Sequence, residues 1–144
     1  MTDNPESALN AYIRAFETLD AEAVLPFYHI PGMFITPQDV FAMPDANTAR
    51  ALLFQFLGQL RAQSYRCTEI SGLKVCSLSP GLVFCTGVFV RFNTSGQEIA
   101  RVGFTYSMRN IGGSRKFVVA IVHEPLATSH LEINLFKTAG LFKT

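Results

Sequence analysis

The chain has no tryptophan, and its cysteines number only three: Cys67, Cys76 and Cys85. They form an odd set at nine-residue intervals with no CxxC pair or nearby histidine pair. That spacing offers neither a disulfide framework nor a zinc ligand set, so free thiols in a reducing compartment are expected, with no metal and no cofactor. Charge is scarce too. Twelve Lys and Arg against 11 Asp and Glu leave a net charge of +1. Without a basic run, neither nucleic acid nor an anionic membrane is indicated as a partner. Apolar runs such as Gly81–Val90 are too short to span a bilayer. The polar, acidic MTDNPESALN start is no secretory signal, so a soluble, cytoplasmic protein is expected. No Ser–His–Asp order, phosphate loop or zinc signature is present.

What the chain does have is apolar material. Hydrophobic residues make up 49% of its 144 residues, with 13 Phe and 4 Tyr. A chain of this length fits one domain that buries roughly 70% of its unfolded surface. So many rings imply an aromatic core, a lined pocket or an interface.

The pattern along the chain divides in two. Asn4-Pro5 suits a helix start, and Leu9, Tyr12, Ile13, Phe16 and Leu19 then recur at helical steps, marking a buried face. A break follows at Leu19-Asp20. Asp20 caps a second helix over Ala21–Tyr28, shortened or kinked by Pro26 and ended by His29-Ile30-Pro31-Gly32. Met33–Thr36 reads as a short strand stopped by Pro37, and Gln38–Pro44 as a weaker extended piece. Asp45 or Asn47 caps a third helix, Thr48–Gln63, with an apolar set of Ala51, Leu52, Phe54, Phe56, Leu57 and Leu60.

After Gln63 the period changes from 3.6 to 2. Strands are expected at Tyr65–Leu78, Leu82–Phe92, Glu98–Asn110 and Lys116–Glu124, joined by short glycine-bearing turns as an antiparallel meander. On the third, Ala100, Val102, Phe104, Tyr106 and Met108 share a face opposite Arg101, Thr105, Ser107 and Arg109. On the fourth, Phe117, Val119, Ile121 and His123 alternate with Val118, Val122 and Glu124. Helices grouped before a meander predict an α+β fold with the helices on one face of a strongly bent sheet. The other face suits a homodimer. Residues 1–124 form the domain. Residues 125–144 form a tail, rich in apolar residues such as Leu131, Ile133, Leu135 and Phe136, that docks on its own domain or on a partner subunit.

Tyr12, Phe16, Leu19-Asp20, Ala23-Val24, Phe27-Tyr28, Phe34-Ile35, Pro37 and the closing KFVVAIVHEP together resemble the nuclear transport factor 2-like superfamily, including its SnoaL-like domains. The resemblance covers about Ser7–Glu124. It implies a cystatin-like cone, a curved, mixed but mainly antiparallel sheet wrapped around N-terminal helices, with a pocket between them. It does not name a reaction, because that superfamily houses isomerases, dehydratases, cyclases, hydrolases and binding modules without activity. Its ketosteroid isomerase branch needs a carboxylate base and an oxyanion hole of Tyr with protonated Asp. Tyr12 matches the oxyanion Tyr. Thr36 stands where the base belongs, and no acid occupies the Gly103-Phe104 region. With two of three groups missing, the resemblance argues against that route.

The candidate ligand-binding residues are Tyr12, Phe16, Tyr28, Phe34, Thr36, Phe54, Phe104, Tyr106, Val119 and His123. The candidate catalytic residues are His123, Tyr12 and Asp39. His123 is the group whose ordinary pKa is near neutrality on the expected apolar face. His29 and His130 read as solvated, and Arg91, Arg101 and Arg109 share the parity of the polar sheet faces, where a dimer interface or solvent is expected ahead of the alternative, an anionic ligand. The leading expectation is a cone that binds a small apolar or aromatic molecule. The alternatives are a lyase, isomerase or cyclase using His123 or Asp39 with Tyr12 or Tyr28, and a dimeric interaction module without ligand.

Overall fold

The computed structural model describes residues 4–125. The chain opens with α1 (Pro5–Phe16), for which the Asn4 side chain accepts hydrogen bonds from the amides of Glu6 and Ser7 at 2.8 and 3.3 Å. Leu9, Tyr12, Ile13 and Phe16 are its buried stripe, as their spacing requires. The break falls at Leu19, whose φ of +57° turns the chain out of the helix. An Arg61 guanidinium N–H donates to the Leu19 carbonyl at 3.1 Å and ties the turn to the third helix.

Asp20 caps α2 as expected, accepting from the Glu22 amide at 3.0 Å. This helix is shorter than its sequence suggests. It covers Ala21–Val24 and passes into a 3-10 turn at Leu25–Phe27. Pro26 cannot donate to a continuing helix, and Pro31 biases the residue before it toward extended backbone. Tyr28 through Gly32 therefore belong to β1 (Tyr28–Ile35), not to a helix end. The ladder shifts register between Tyr28 and Met33.

A turn held by Thr36 leads into β2 (Val40–Met43). The Thr36 hydroxyl accepts from the amides of Gln38 and Asp39 at 3.2 and 3.0 Å. Asp45 then caps α3 (Ala46–Ala62), accepting from the Thr48 amide at 2.7 Å. The buried positions of α3 are Ala49, Leu53, Leu57 and Leu60. This corrects the expected face, because Phe54 points outward and is 75% exposed. A stripe through 49, 53, 57 and 60 leaves 54 about a quarter-turn off the core.

The four long strands follow as β3 (Tyr65–Ser79), β4 (Leu82–Asn93), β5 (Glu98–Ile111) and β6 (Ser114–His123). Gly81 and Gly96, both at φ +80°, supply the positive φ of two of the tight connections. One six-stranded sheet results, in the order β2-β1-β6-β5-β4-β3. All neighbours are antiparallel except β1 and β6, which run parallel. The helices cover the concave face, and the core between them includes Leu9, Val24, Met43, Leu57, Phe104, Tyr106, Met108 and Phe117. The architecture is thus α+β, with a mixed, mainly antiparallel sheet curved around its helices.

One irregularity decides which face each late residue takes. Met108 pairs with Phe117 but Ser107 pairs with Val119, so Val118 is an extra residue in β6. A bulge of this kind reverses the alternation beyond it. Phe117 and Ala120 face the core, each 1% exposed, and Val122 follows on the concave side. Val119, Ile121 and His123 consequently lie on the convex face. That corrects the expectation that they share a face with Phe117. Among the described residues no helix is long and apolar enough to cross a membrane. Beyond Pro125 the tail, with His130, lies outside the described residues.

Candidate functional site

The concave face holds a small aromatic chamber lined by Tyr12, Ile13, Phe16, Phe34, Phe56, Thr68, Phe89, Arg91, Tyr106 and Val122. Its two ends differ. Toward α1 and the base of β1, Tyr12 is the hub of a ring cluster. It meets Phe117 edge-on at 4.7 Å between centroids and touches Phe16, Phe27, Tyr28 and Tyr106 within 6.1 Å. The Tyr12 and Tyr28 hydroxyls are 2.7 Å apart and share a hydrogen bond, and the Tyr106 phenol interacts with both. Burial pushes all three phenols well above their ordinary value of 10, aided by their mutual repulsion once charged. They stay protonated at any physiological pH and act as hydrogen-bond groups, not bases.

The other end is set by Arg91. This side chain was expected on an outer face, but Arg91 pairs with Ala100 and shares its face with Val83, Cys85 and Phe89, so it points into the cone. The residue is 8% exposed. Its guanidinium lies 5.6 Å from the Phe16 ring centroid and 5.5 Å from that of Phe56. Such contacts contribute about 0.5–2 kcal/mol each way from surface to dry sites. Its Nε has no hydrogen-bond partner. Arg91 is the one charged residue among those lining the chamber. Arg101 and Arg109 do lie on the outer parity, exposed, and Arg101 pairs with Glu98 at 2.8 Å.

The chamber itself is nearly full, with about 10 Å³ open to the centre of a water molecule, room for about one. Beside it opens a groove of about 330 Å³, lined by Phe34, Thr36, Gln38, Asp39, Phe41, Leu52, Gln55, Phe56, Gln59 and Val122. Phe34, Phe56 and Val122 wall both spaces, so these side chains separate the groove from Arg91.

The sequence candidates therefore divide. Tyr12, Phe16, Phe34 and Tyr106 line the chamber, and Thr36 and Asp39 line the groove mouth. Tyr28 and Phe104 face the same core without lining either space, Phe104 being fully buried and stacked on Phe89 at 4.0 Å. Phe54 lies on a separate surface cleft between α3 and the Leu19 turn. Val119 and His123 are on the convex side of the sheet. There the His123 Nε2 is 2.8 Å from the Thr105 hydroxyl, which in turn is 3.1 Å from that of Thr86, and Nδ1 is 2.7 Å from the Glu124 carbonyl. The sheet stands between His123 and Tyr12, so the two do not form one site. Of the Gly103-Phe104 pair, it is the Phe104 ring that faces the cone. Glycine at 103 leaves room for His123, because a Cβ there would come within 2.6 Å of that imidazole.

Arg91 is the residue the sequence reading missed. The available signal was parity, since it falls in step with Val83, Cys85 and Phe89. His29 bonds locally, its Nδ1 2.7 Å from the Pro31 carbonyl. All three cysteines are free, and burial pushes the Cys85 thiol up to about 12, leaving it inert. Among the described residues no group of three or more His, Cys, Asp or Glu is placed to hold a metal ion.

No curated protein matches the chain. Solved structures do. An NTF2-like protein with a cystatin-like fold from Novosphingobium aromaticivorans is 14% identical and superposes with a TM-score of 0.68 over 90% of this chain and 84% of that one. A ketosteroid isomerase-like protein from Erwinia carotovora atroseptica is 18% identical, with a TM-score of 0.61 over 82% and 91%. An NTF2-like protein of unknown function from Pseudomonas putida is 14% identical, with a TM-score of 0.65 over 87% of each chain. At these identities the likeness carries the fold alone. The family model for the NTF2-like protein described as DUF6841 matches residues 3–125. The chain belongs to that NTF2-like family.

Proposed function

We propose that this protein binds a small molecule with an apolar or aromatic body in the groove between α3, β1 and β2. The observation that carries this reading is a groove that backs onto the aromatic chamber through the shared walls Phe34, Phe56 and Val122. A space of about 330 Å³ opens onto Phe34, Phe56 and Val122, behind which lies the rest of the ring-lined interior. That volume lies in the range of small-ligand sites, and so does the lining, which is mainly apolar with a few amides and one carboxylate at the rim. The phenyl rings and Leu52 take the apolar body. Gln55, Gln59 and Thr36 bond the polar edge.

Binding, not catalysis, is the reading favoured. The buried phenols hold their protons, and His123, the expected base, faces the other side of the sheet. Asp39 lines the groove rim and not the chamber that holds the phenols.

A panel of aromatic and medium-chain aliphatic compounds, followed by thermal melting, tests the proposal. At a hundredfold excess over Kd a ligand stabilises the folded state by about 2.7 kcal/mol, which raises Tm by several degrees. Leu52→Trp fills the groove and should remove the shift while leaving the unliganded melt cooperative. A panel with no shifts, or equal shifts in wild type and Leu52→Trp, contradicts the groove as the binding site.

A further inference from the structure

We infer that the ligand of this groove carries a carboxylate, and that Arg91 receives it; the inference rests on the binding reading above and names the chemistry of the ligand's head. Four observations converge on it. Arg91 is 8% exposed, and its Nε lacks a hydrogen-bond partner. Among the described residues no carboxylate is at ion-pair distance from its guanidinium. Glu17, at the end of α1, accepts the Thr68 amide at 3.1 Å instead. The faces that meet the guanidinium are the rings of Phe16 and Phe56, which supply no acceptor oxygen.

An arginine stays charged at every pH a folded protein meets, so it cannot relieve its burial by losing a proton. Its planar fork matches the two oxygens of a carboxylate, and a bidentate pair of that kind is strongest in a dry, apolar surround. A tetrahedral phosphate suits the chamber less. It calls for several more donors, and the Tyr12 and Tyr28 hydroxyls are already bonded to each other at 2.7 Å.

Access runs through Phe56. Its side chain is half-buried, walls the groove on one side and carries the Arg91 guanidinium on the other. A turn of that ring joins the groove to the chamber, which otherwise has room for about one water. The carboxylate then reaches Arg91 while the apolar body remains in the groove.

Calorimetric titration of the full-length chain with matched pairs tests the assignment: phenylacetate against phenylacetamide, octanoate against octanamide, and inorganic phosphate alone. Each carboxylate is expected to bind the wild type at least about tenfold more tightly than its amide, since a charge-assisted pair exceeds a neutral hydrogen bond by that margin. Arg91→Met should bind acid and amide alike, and Arg91→Lys should retain part of the preference. Equal affinity of the wild type for acid and amide overturns the carboxylate inference and leaves the groove reading standing. Tighter binding of phosphate than of either carboxylate overturns it as well. Binding of none of the probes overturns both. The wild-type comparison decides the matter even where Arg91→Met fails to fold.

Discussion

Phe104→Ala is expected to destabilise the fold by about 3–5 kcal/mol, the range for removing a fully buried phenyl ring. The ring is 0% exposed, stacks on Phe89 at 4.0 Å with an interplanar angle of 9°, and meets Tyr106 edge-on at 5.3 Å. On the adjacent strand its partner is Gly87, where a Cβ would come within 2.9 Å of the ring. The glycine and the phenyl therefore share one volume, and when the phenyl is lost nothing on the glycine side can fill the space. Because β5 is paired on both sides there, with Gly87 and Val122 opposite Phe104, the gap should persist. Urea unfolding should show a lower midpoint with an unchanged slope. A loss below about 1 kcal/mol would mean that β4 and β5 collapse together and that the ring is not central to the core.

Arg91→Met should act in the opposite direction on the ligand-free protein, raising its stability by about 1–3 kcal/mol, the cost of keeping a buried donor unsatisfied. The substitution gives up the cation–π contacts with Phe16 and Phe56, but a thioether packs well against the same rings. What it removes is a desolvated charge with an orphaned Nε. A residue that weakens the empty fold and strengthens the occupied one is the usual exchange of stability for function. Thermal or urea unfolding without ligand measures it. A fall in stability would assign Arg91 to holding the core together.

Much of this molecule was legible because it is locally encoded. The α1 stripe, the Leu19-Asp20 break, the caps at Asn4, Asp20 and Asp45, and the glycine-bearing turns each depend on residues a few positions apart. The misreadings share a different origin. Tyr28–Gly32 has a helix-ending composition, but pairing with β2 and β6 draws it into a strand. Strict alternation along β6 puts His123 beside Phe117, and the extra residue at Val118 reverses that order. A bulge depends on the partner strand, so nothing in the local pattern announces it. Phe54 is large and apolar like the α3 stripe, but its angular position lies outside it.

Arg91 shows the converse error. Grouping Arg91 with Arg101 and Arg109 by the parity of the polar faces puts it outward, while its own strand's alternation of Val83, Cys85 and Phe89 puts it inward. The candidate site thus came half from sequence. Tyr12, Phe16, Phe34, Thr36, Asp39 and Tyr106 do gather on the concave side. The group that gives the chamber its charge was missed, and the histidine expected there is on the far face.

Which face of the sheet meets a ligand is tested most directly by chemical-shift mapping of the aromatic rings, methyl groups and Arg91 Nε during titration with phenylacetate. The expected shifts concentrate at Leu52, Phe56, Val122 and Arg91, while Val119, Thr105 and His123 stay in place. Shifts confined to Val119 and His123, or none at saturating phenylacetate, would contradict binding on the concave face.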